Sequence, residues 1–304
     1  MEPIEIVFLG TASSAPTKER NLSAIAIRFE GEWLLFDCPE GCQQQLLKGS
    51  ISYMRIHHIF LTHMHLDHVL GLPGLIATMQ MHQRLHPLFI HVPQGWKNKA
   101  LQIIRLAPKT NFDIEIKEMK KGIVLENKGY TISAVLLKHE IDCYGLIFKQ
   151  EDKAGTFQRE KAIALKIPEG PLWRRLQLGN KIKVEKKTFK PEQVMDYSKA
   201  KKGVKISYIV DTLPTRNYHA AIKESDILVH EATFSQKNVK RAKETMHSTA
   251  LDAGIAAEKT KCHALYLTHF SSRHKNAQEL ENEARQAFGN VFVSKELERI
   301  KLEK

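Results

Sequence analysis

The 304-residue chain has four cysteines, at 38, 42, 143 and 262, and no CxxC pair among them. Cys38 and Cys42 lie four apart and the other two are isolated. Neither a disulfide framework nor a zinc ribbon is indicated, and small, partly buried thiols are the plain reading. Long apolar runs are missing too, since no stretch approaches the roughly 20 apolar residues that a membrane helix needs. The opening MEPIEIVFLG is acidic and runs directly into a strand-like pattern, where a secretory signal would carry a basic segment. These absences argue against a disulfide-stapled secreted module and against an integral membrane protein, and they lead to the expectation of a cytoplasmic protein with no membrane partner.

What is present is a 42% apolar content, sufficient for a well-buried core in one large domain or two ordinary ones. The formal charge of +12 favours polyanions such as nucleic acid, although charge alone names no substrate.

Short apolar or alternating runs, IEIVFLG, SAIAIRF, EWLLFDC and HHIFLTH, open the chain as consecutive strands. Helical patterns then alternate with strands. DHVLGLPGLIATMQMHQ and KNKALQIIRLA predict helices, whereas PLFIHV, FDIEIKEM, YTISAVLLKH and YGLIFKQ predict strands. Residues 152–202 break this rhythm with 14 Lys or Arg against 6 Asp or Glu, few apolar runs and the Pro/Gly segment IPEGPLWRRLQLG. This stretch predicts a basic insertion projecting from the core. Strands then resume at VKISYIVDT, DILVHEATF and HALYLTH, with helices at NYHAAIKES, TALDAGIAAEKT and NAQELENEARQAF.

The stretch THMHLDH concentrates the chemistry. His63 and His65 alternate about a loop at a strand's end, and Asp67 and His68 fall where a helix would begin. Imidazole and carboxylate suit zinc and related borderline metals, and four ligand-capable side chains at one strand end exceed what one tetrahedral ion requires. Later predicted strands end in ligand types as well: His139 in LLKH, Asp211 in YIVD, His230 in ILVH and His269 in YLTH. Two ions about 3.5–4 Å apart can acidify an attacking water and stabilise a phosphoryl transition state. The same machinery cuts esters, thioesters or lactams, and the residues so far leave those alternatives open.

HxHxDH followed by distant His, Asp and His resembles the metallo-β-lactamase superfamily, and within it the chain resembles the ribonuclease Z family along essentially its whole length. PTKERN, residues 16–21, fits that family's PxKxRN loop. HEAT at 230–233 is followed by HST at His247, and LTHFSSR ends in Arg273. One stretch departs from the pattern: DCPEGCQ stands where the family reads close to DCGEGTQ, with Pro39 and Cys42 substituted while Asp37 and Gln43 remain.

The resemblance implies a single four-layer αββα sandwich over residues 1–304, with residues 152–202 inserted as a flexible tRNA-binding arm. It implies a zinc-dependent endoribonuclease that removes the 3′ trailer from precursor tRNA and leaves a 3′-hydroxyl. By the family pattern His63, His65 and His139 hold one Zn2+, Asp67, His68 and His269 hold the other, and Asp211 bridges them, with Mn2+ as a possible substitute. Asp67 doubles as proton acceptor. His247, oriented by Glu231, is the natural proton donor to the leaving oxygen, because imidazole titrates near working pH and a carboxylate can fix its tautomer.

Lys18, Arg20 and Arg273, with Asn21 in the same loop as the first two, are the expected phosphate contacts. In the arm, the Gly170–Pro171 element and the cations Lys161, Arg174, Arg175 and Lys181 are expected to grip RNA by shape and charge, while Trp173 either packs the arm's tip or stacks on bases, packing being preferred. The family is commonly homodimeric, and VLGLPGLIATMQMHQ reads as a core helix with part of its face available to a second subunit. A small-molecule phosphodiesterase or arylsulfatase of the same superfamily is the rival enzyme reading. A zinc-stabilised RNA-binding protein is the non-enzyme rival.

Overall fold

The run IEIVFLG forms the strand Ile4–Gly10, buried at all seven positions, as an interior strand covered on both faces must be. The structure, a computed structural model, describes residues 3–303. That strand belongs to a seven-stranded sheet in the order Arg299–Leu302, Ile4–Gly10, Ala24–Phe29, Glu32–Phe36, Ile56–Phe60, Leu88–Pro93 and Ile114–Met119. Its first pairings are antiparallel and its last three parallel. The second seven-stranded sheet runs Val291–Val293, Ala264–Thr268, Ile227–Glu231, Lys205–Ile209, Tyr144–Gln150, Tyr130–Leu136 and Gly122–Asn127. Its first four members are parallel.

Aromatic rings join the facing sheets: Phe36 to Tyr208 at 6.0 Å, Phe29 to Phe148 at 5.7 Å and Phe8 to Tyr266 at 5.6 Å between centroids. The outer face of each sheet is covered by helices. Leu46, Leu72, Ile76 and Ile103 pack on Leu9, Leu35 and Ile59 of the first sheet. Ile222, Ala253, Ala257 and Leu280 pack on Ile209, Leu228 and Leu265 of the second. The result is the four-layer αββα sandwich that the sequence leads one to expect. Because parallel strands end on a common side, the segments after Ile56–Phe60, Lys205–Ile209, Ile227–Glu231 and Ala264–Thr268 are available to build one site.

Residues Gln150–Val204 form a second compact unit. Its strands pair as Thr156–Phe157 with Met195–Asp196 and as Ile182–Val184 with Lys187–Phe189. Its apolar residues are dispersed rather than contiguous, yet Ala162, Ile167, Trp173, Leu176, Phe189 and Val194 gather into a cluster of their own. Trp173 is buried there and donates its indole N–H to the Ile167 carbonyl at 3.1 Å. Gly170, at φ 124°, precedes the helix Pro171–Gln177, on which Arg174 and Arg175 are exposed. Among the described residues no helix is long and apolar enough to cross a membrane.

Three local differences from the sequence reading have physical causes. The single helix expected over DHVLGLPGLIATMQMHQ is two, Leu66–Val69 and Leu72–Met81. Gly71 separates them, and its N–H donates to the Cys38 carbonyl at 2.9 Å. The strands Gly122–Asn127 and Arg299–Leu302 and the helix Val239–Glu244 were not anticipated, being half exposed or strongly charged and so lacking an apolar period. NYHAAIKES yields only one helical turn, His219–Ile222.

The helix break generates a test. A Cβ on Gly71 would lie 2.1 Å from the Pro39 carbonyl oxygen, a backbone atom that cannot swing aside. Gly71→Ala is expected to cost about 3 kcal/mol of stability, read as a lowered urea midpoint. A midpoint equal to wild type would show that this close approach does not constrain the fold.

Candidate metal centre and catalytic pair

His63 and His65 follow the strand Ile56–Phe60, and Asp67 and His68 lie in the first turn of Leu66–Val69. From the second sheet come His139, Asp211 and His269, each just beyond a strand end. Asp211 and His269 take left-handed backbone angles, φ 40° and 60°, as does Asp37 at 62°. Asp and His tolerate this region better than most residues, and the sharp turn there sends each side chain inward.

These seven side chains fall into two groups around Asp211. In the first, His65 Nδ1 lies 3.1 Å from His63 Nε2 and 3.3 Å from His139 Nε2, while Asp211 Oδ2 lies 3.6 and 3.7 Å from the latter two nitrogens. In the second, His68 Nε2 is 3.7 Å from Asp67 Oδ2 and 3.6 Å from Asp211 Oδ1, and His269 Nε2 is 3.1 Å from Asp211 Oδ1. Ligand atoms around one tetrahedral zinc sit about 3.3 Å from one another, so both groups have the spacing of a coordination shell. Asp211 Oδ1 and His269 Nε2 are buried, adjacent and without a hydrogen bond, as two lone pairs turned on a common cation would be. The residues therefore fit divalent metal.

Deeper contacts set which ring nitrogen faces inward. The Asp37 carboxylate accepts from His68 Nδ1 at 2.9 Å and from the Thr62 N–H at 2.8 Å, which leaves His68 Nε2 for the centre. Ser14 donates its backbone N–H to Asp67 Oδ2 at 3.0 Å. Burial, followed by neighbouring imidazoles, holds His63 well below the ordinary imidazole range and pulls His139 to about 4 and His269 to about 3. Neutral rings with free lone pairs are what a metal requires. Burial would lower His68 too, but Asp37 and Asp211 override it and raise the ring to about 10. Burial pushes Asp211 up to about 7, and a cation shared by its two oxygens would relieve that cost.

Beside the two groups, His247 Nδ1 donates to Glu231 Oε1 at 3.1 Å. Ser248 binds the Thr212 carbonyl at 2.7 Å, and Thr249 caps the helix Ala250–Thr260 in a reciprocal box with Asp252, so the HST segment is pinned on both sides of the histidine. Burial alone would raise Glu231 and lower His247. Their mutual attraction reverses both, to about 2 and about 9. His230, also a strand-end candidate, does not join these groups: strand alternation turns it to the other face, where the Tyr218 hydroxyl meets its Nε2 at 3.0 Å.

A cleft of about 510 Å³, bordered by Ser14, His65, Asp67, His139, Asp211 and His247, opens onto this centre. A larger cavity of about 650 Å³, beside Arg20, Lys275 and Phe292, lies away from the ligands, and chemistry rather than volume selects the smaller one. Lys18 and Arg273 are exposed. Arg20 donates to the His274 carbonyl at 2.8 Å and lies over the Phe270 ring, and Asn21 donates to the Glu40 carbonyl at 3.1 Å. Among the described residues none of these four borders the cleft. Thr62, Ser14, Tyr208 and Thr212 contact the side chains of the centre through single hydroxyls and backbone amides, which carry no sequence pattern. Asp37 was legible in principle, since it ends an apolar strand as Asp211 does.

Comparison with known proteins places this geometry. The chain is 38% identical over 300 residues to the ribonuclease Z of Methanosarcina acetivorans, covering 97% of this chain and 96% of that one. It is 37% identical over 300 residues to the ribonuclease Z of Nitrosopumilus maritimus, covering 98% and 100%. The crystal structure of the short form of human tRNase Z is similar at 25% identity and a TM-score of 0.70, over 97% of this chain and 98% of that chain. The metallo-β-lactamase fold protein YhfI of Bacillus subtilis shares the fold at 17% identity and a TM-score of 0.72, over 99% and 100%. The family described as anti-Pycsar protein Apyc1 matches residues 4–154.

The Glu231–His247 pair predicts a pH dependence of stability. The raised His247 contributes fully below its ordinary value of 6.5 and loses that contribution as pH rises through about 9. The lowered Glu231 contributes above its ordinary 4.5 and loses it as pH falls through about 2. Both are in force between 4.5 and 6.5. Glu231→Gln is therefore expected to destabilise most in that window, by on the order of 2–3 kcal/mol, and less above pH 9. Urea melts across pH check this, and a deficit independent of pH would show that the pair is not ionic.

Proposed function

The chain belongs to the ribonuclease Z family, metal-dependent endoribonucleases, and we propose that it removes the 3′ trailer of precursor tRNA by hydrolysis at a two-zinc centre, leaving a 3′-hydroxyl on the tRNA. The observation that carries this reading is the split of the Asp211 carboxylate, Oδ2 toward His63 and His139 and Oδ1 toward His68 and His269. In this reading His63, His65 and His139 would hold one Zn2+, Asp67, His68 and His269 the other, with Asp211 contributing to both and Mn2+ able to substitute. Two such ions acidify water and neutralise the charge that grows on the phosphoryl oxygens.

The chain's own groups do the rest. Asp67, steadied by the Ser14 N–H, takes the proton of the attacking water. The departing 3′ oxygen of the tRNA is a strongly basic alkoxide, and His247 supplies its proton from Nε2 while Glu231 holds Nδ1. Lys18, Arg20, Asn21 and Arg273 position the phosphodiester backbone on either side of the cut. The unit Gln150–Val204, with exposed Lys161, Arg174, Arg175 and Lys181 and the Gly170–Pro171 turn, is the tRNA-binding arm. Leu66, Leu70, Met81 and Leu85 are exposed along the segment 66–85, and these apolar side chains suit a second copy of the chain in a homodimer. Four free, buried cysteines suit the reducing cytoplasm.

Cleavage of precursor tRNA yielding a 3′-hydroxyl tests the reaction. His247→Ala is expected to lower kcat on precursor tRNA about 100-fold or more, yet leave hydrolysis of bis-p-nitrophenyl phosphate nearly unchanged, because p-nitrophenolate leaves without a proton. Equal losses on both substrates would remove His247 from the acid role. Deleting residues 152–202 is expected to raise KM for precursor tRNA roughly tenfold or more through lost phosphate contacts and to spare the small substrate. A parallel loss on both would end the assignment of the arm.

A further inference from the structure

The HEAT segment supplies Glu231 to the catalytic pair but gives no role to its threonine, and Thr233 is 2% exposed with its hydroxyl at the meeting point of three ionisable side chains. Its Oγ1 lies 2.5 Å from Glu231 Oε2, 2.9 Å from His269 Nδ1 and 3.5 Å from His247 Nδ1. Counting protons resolves these contacts. An ionised carboxylate only accepts, and a hydroxyl has one hydrogen to give. Glu231 Oε1 is taken by the Thr212 N–H at 2.7 Å and by His247 Nδ1 at 3.1 Å, and Oε2 takes the Thr233 hydrogen. The oxygen of Thr233 is then left as an acceptor, and His269 Nδ1 at 2.9 Å must be the donor. The 3.5 Å approach of His247 is too long to compete with its own bond to Glu231.

With its proton fixed on Nδ1, His269 turns the lone pair of Nε2 on Asp211 Oδ1, where both atoms are buried and unpartnered. One carboxylate thus orients two histidines, His247 directly and His269 through the threonine hydroxyl. We infer that Thr233 is a positioning residue that holds His269 in its Nε2-ligating tautomer, and so sets the zinc affinity of the group formed by Asp67, His68 and His269. The inference rests on the two-zinc reading above. It also separates two roles of Glu231, since removing the hydroxyl cuts the branch to the metal ligand and leaves the branch to His247 intact.

The test is zinc binding, read by competition of the purified zinc-loaded protein with a chromophoric chelator. Outer partners of metal-binding histidines are worth about 10- to 100-fold in affinity. Thr233→Val, which keeps the shape and loses the hydroxyl, is expected to hold one of two zinc equivalents 10- to 100-fold more weakly, while Thr233→Ser and His247→Ala hold both as wild type does. Thr233→Ala serves the same comparison if the valine variant does not fold. In excess zinc, Thr233→Val should recover on precursor tRNA and bis-p-nitrophenyl phosphate alike, unlike His247→Ala. Wild-type affinity in Thr233→Val, or weak binding in Thr233→Ser, overturns the assignment while leaving the proposed function standing. Fewer than two zinc equivalents on the wild-type protein overturns both.

Discussion

The candidate centre depends on burying one carboxylate, Asp211, within 3.1–3.7 Å of four imidazoles. A lone anion in such a place is costly, and burial accordingly pushes Asp211 toward its neutral form. A cation shared by its two oxygens would offset that cost, and the two sheets bring imidazoles from separate strand ends to opposite sides of this single side chain. His63 and His68 arrive from the first sheet, and Asp211, His139 and His269 from the second. The packing of Phe36 on Tyr208 and the Tyr208 hydroxyl, 3.4 Å from Asp37 Oδ2, tie those two sets of strand ends together. The geometry of the site is in this sense a property of the sandwich interface.

A second carboxylate, Glu231, organises the other side. It is completely buried, yet three different elements approach it: the Thr212 amide after one strand, the Thr233 hydroxyl after the next, and His247 ahead of a capped helix. Buried networks of this kind hold when every lone pair is matched, and here both oxygens of Glu231 are. Glu231 thus reaches His247 directly and His269 through the Thr233 hydroxyl, by two separate branches. The unit Gln150–Val204 is organised by itself: its cations Lys161, Arg174, Arg175 and Lys181 are exposed, and its own apolar cluster around Trp173 holds it together.

Local patterns were the legible part. THMHLDH declares itself because strand, loop and helix onset follow one another within seven residues, and each later candidate ligand ends a recognisable apolar run. Strand-end position was nevertheless an ambiguous signal. His230 and Glu231 are neighbours on one strand, and alternation sends the histidine to Tyr218 and the glutamate to the site, a choice that depends on which face meets the other sheet. The break at Gly71 was invisible for a similar reason: Leu66 to Met81 has helical spacing throughout, and what interrupts it is the Pro39 carbonyl arriving from a segment some thirty residues earlier.

Residue type and order were thus sufficient to single out the His and Asp residues that the fold gathers, the sheet-and-helix rhythm, the basic insertion and the family resemblance, because each is written in contiguous stretches. Which nitrogen of each histidine faces inward, how Asp211 divides its oxygens, and that Thr233 stands between Glu231 and His269 were decided by the tertiary structure alone. Those are relations between atoms on separate strands, brought within hydrogen-bonding distance only when the two sheets close on one another.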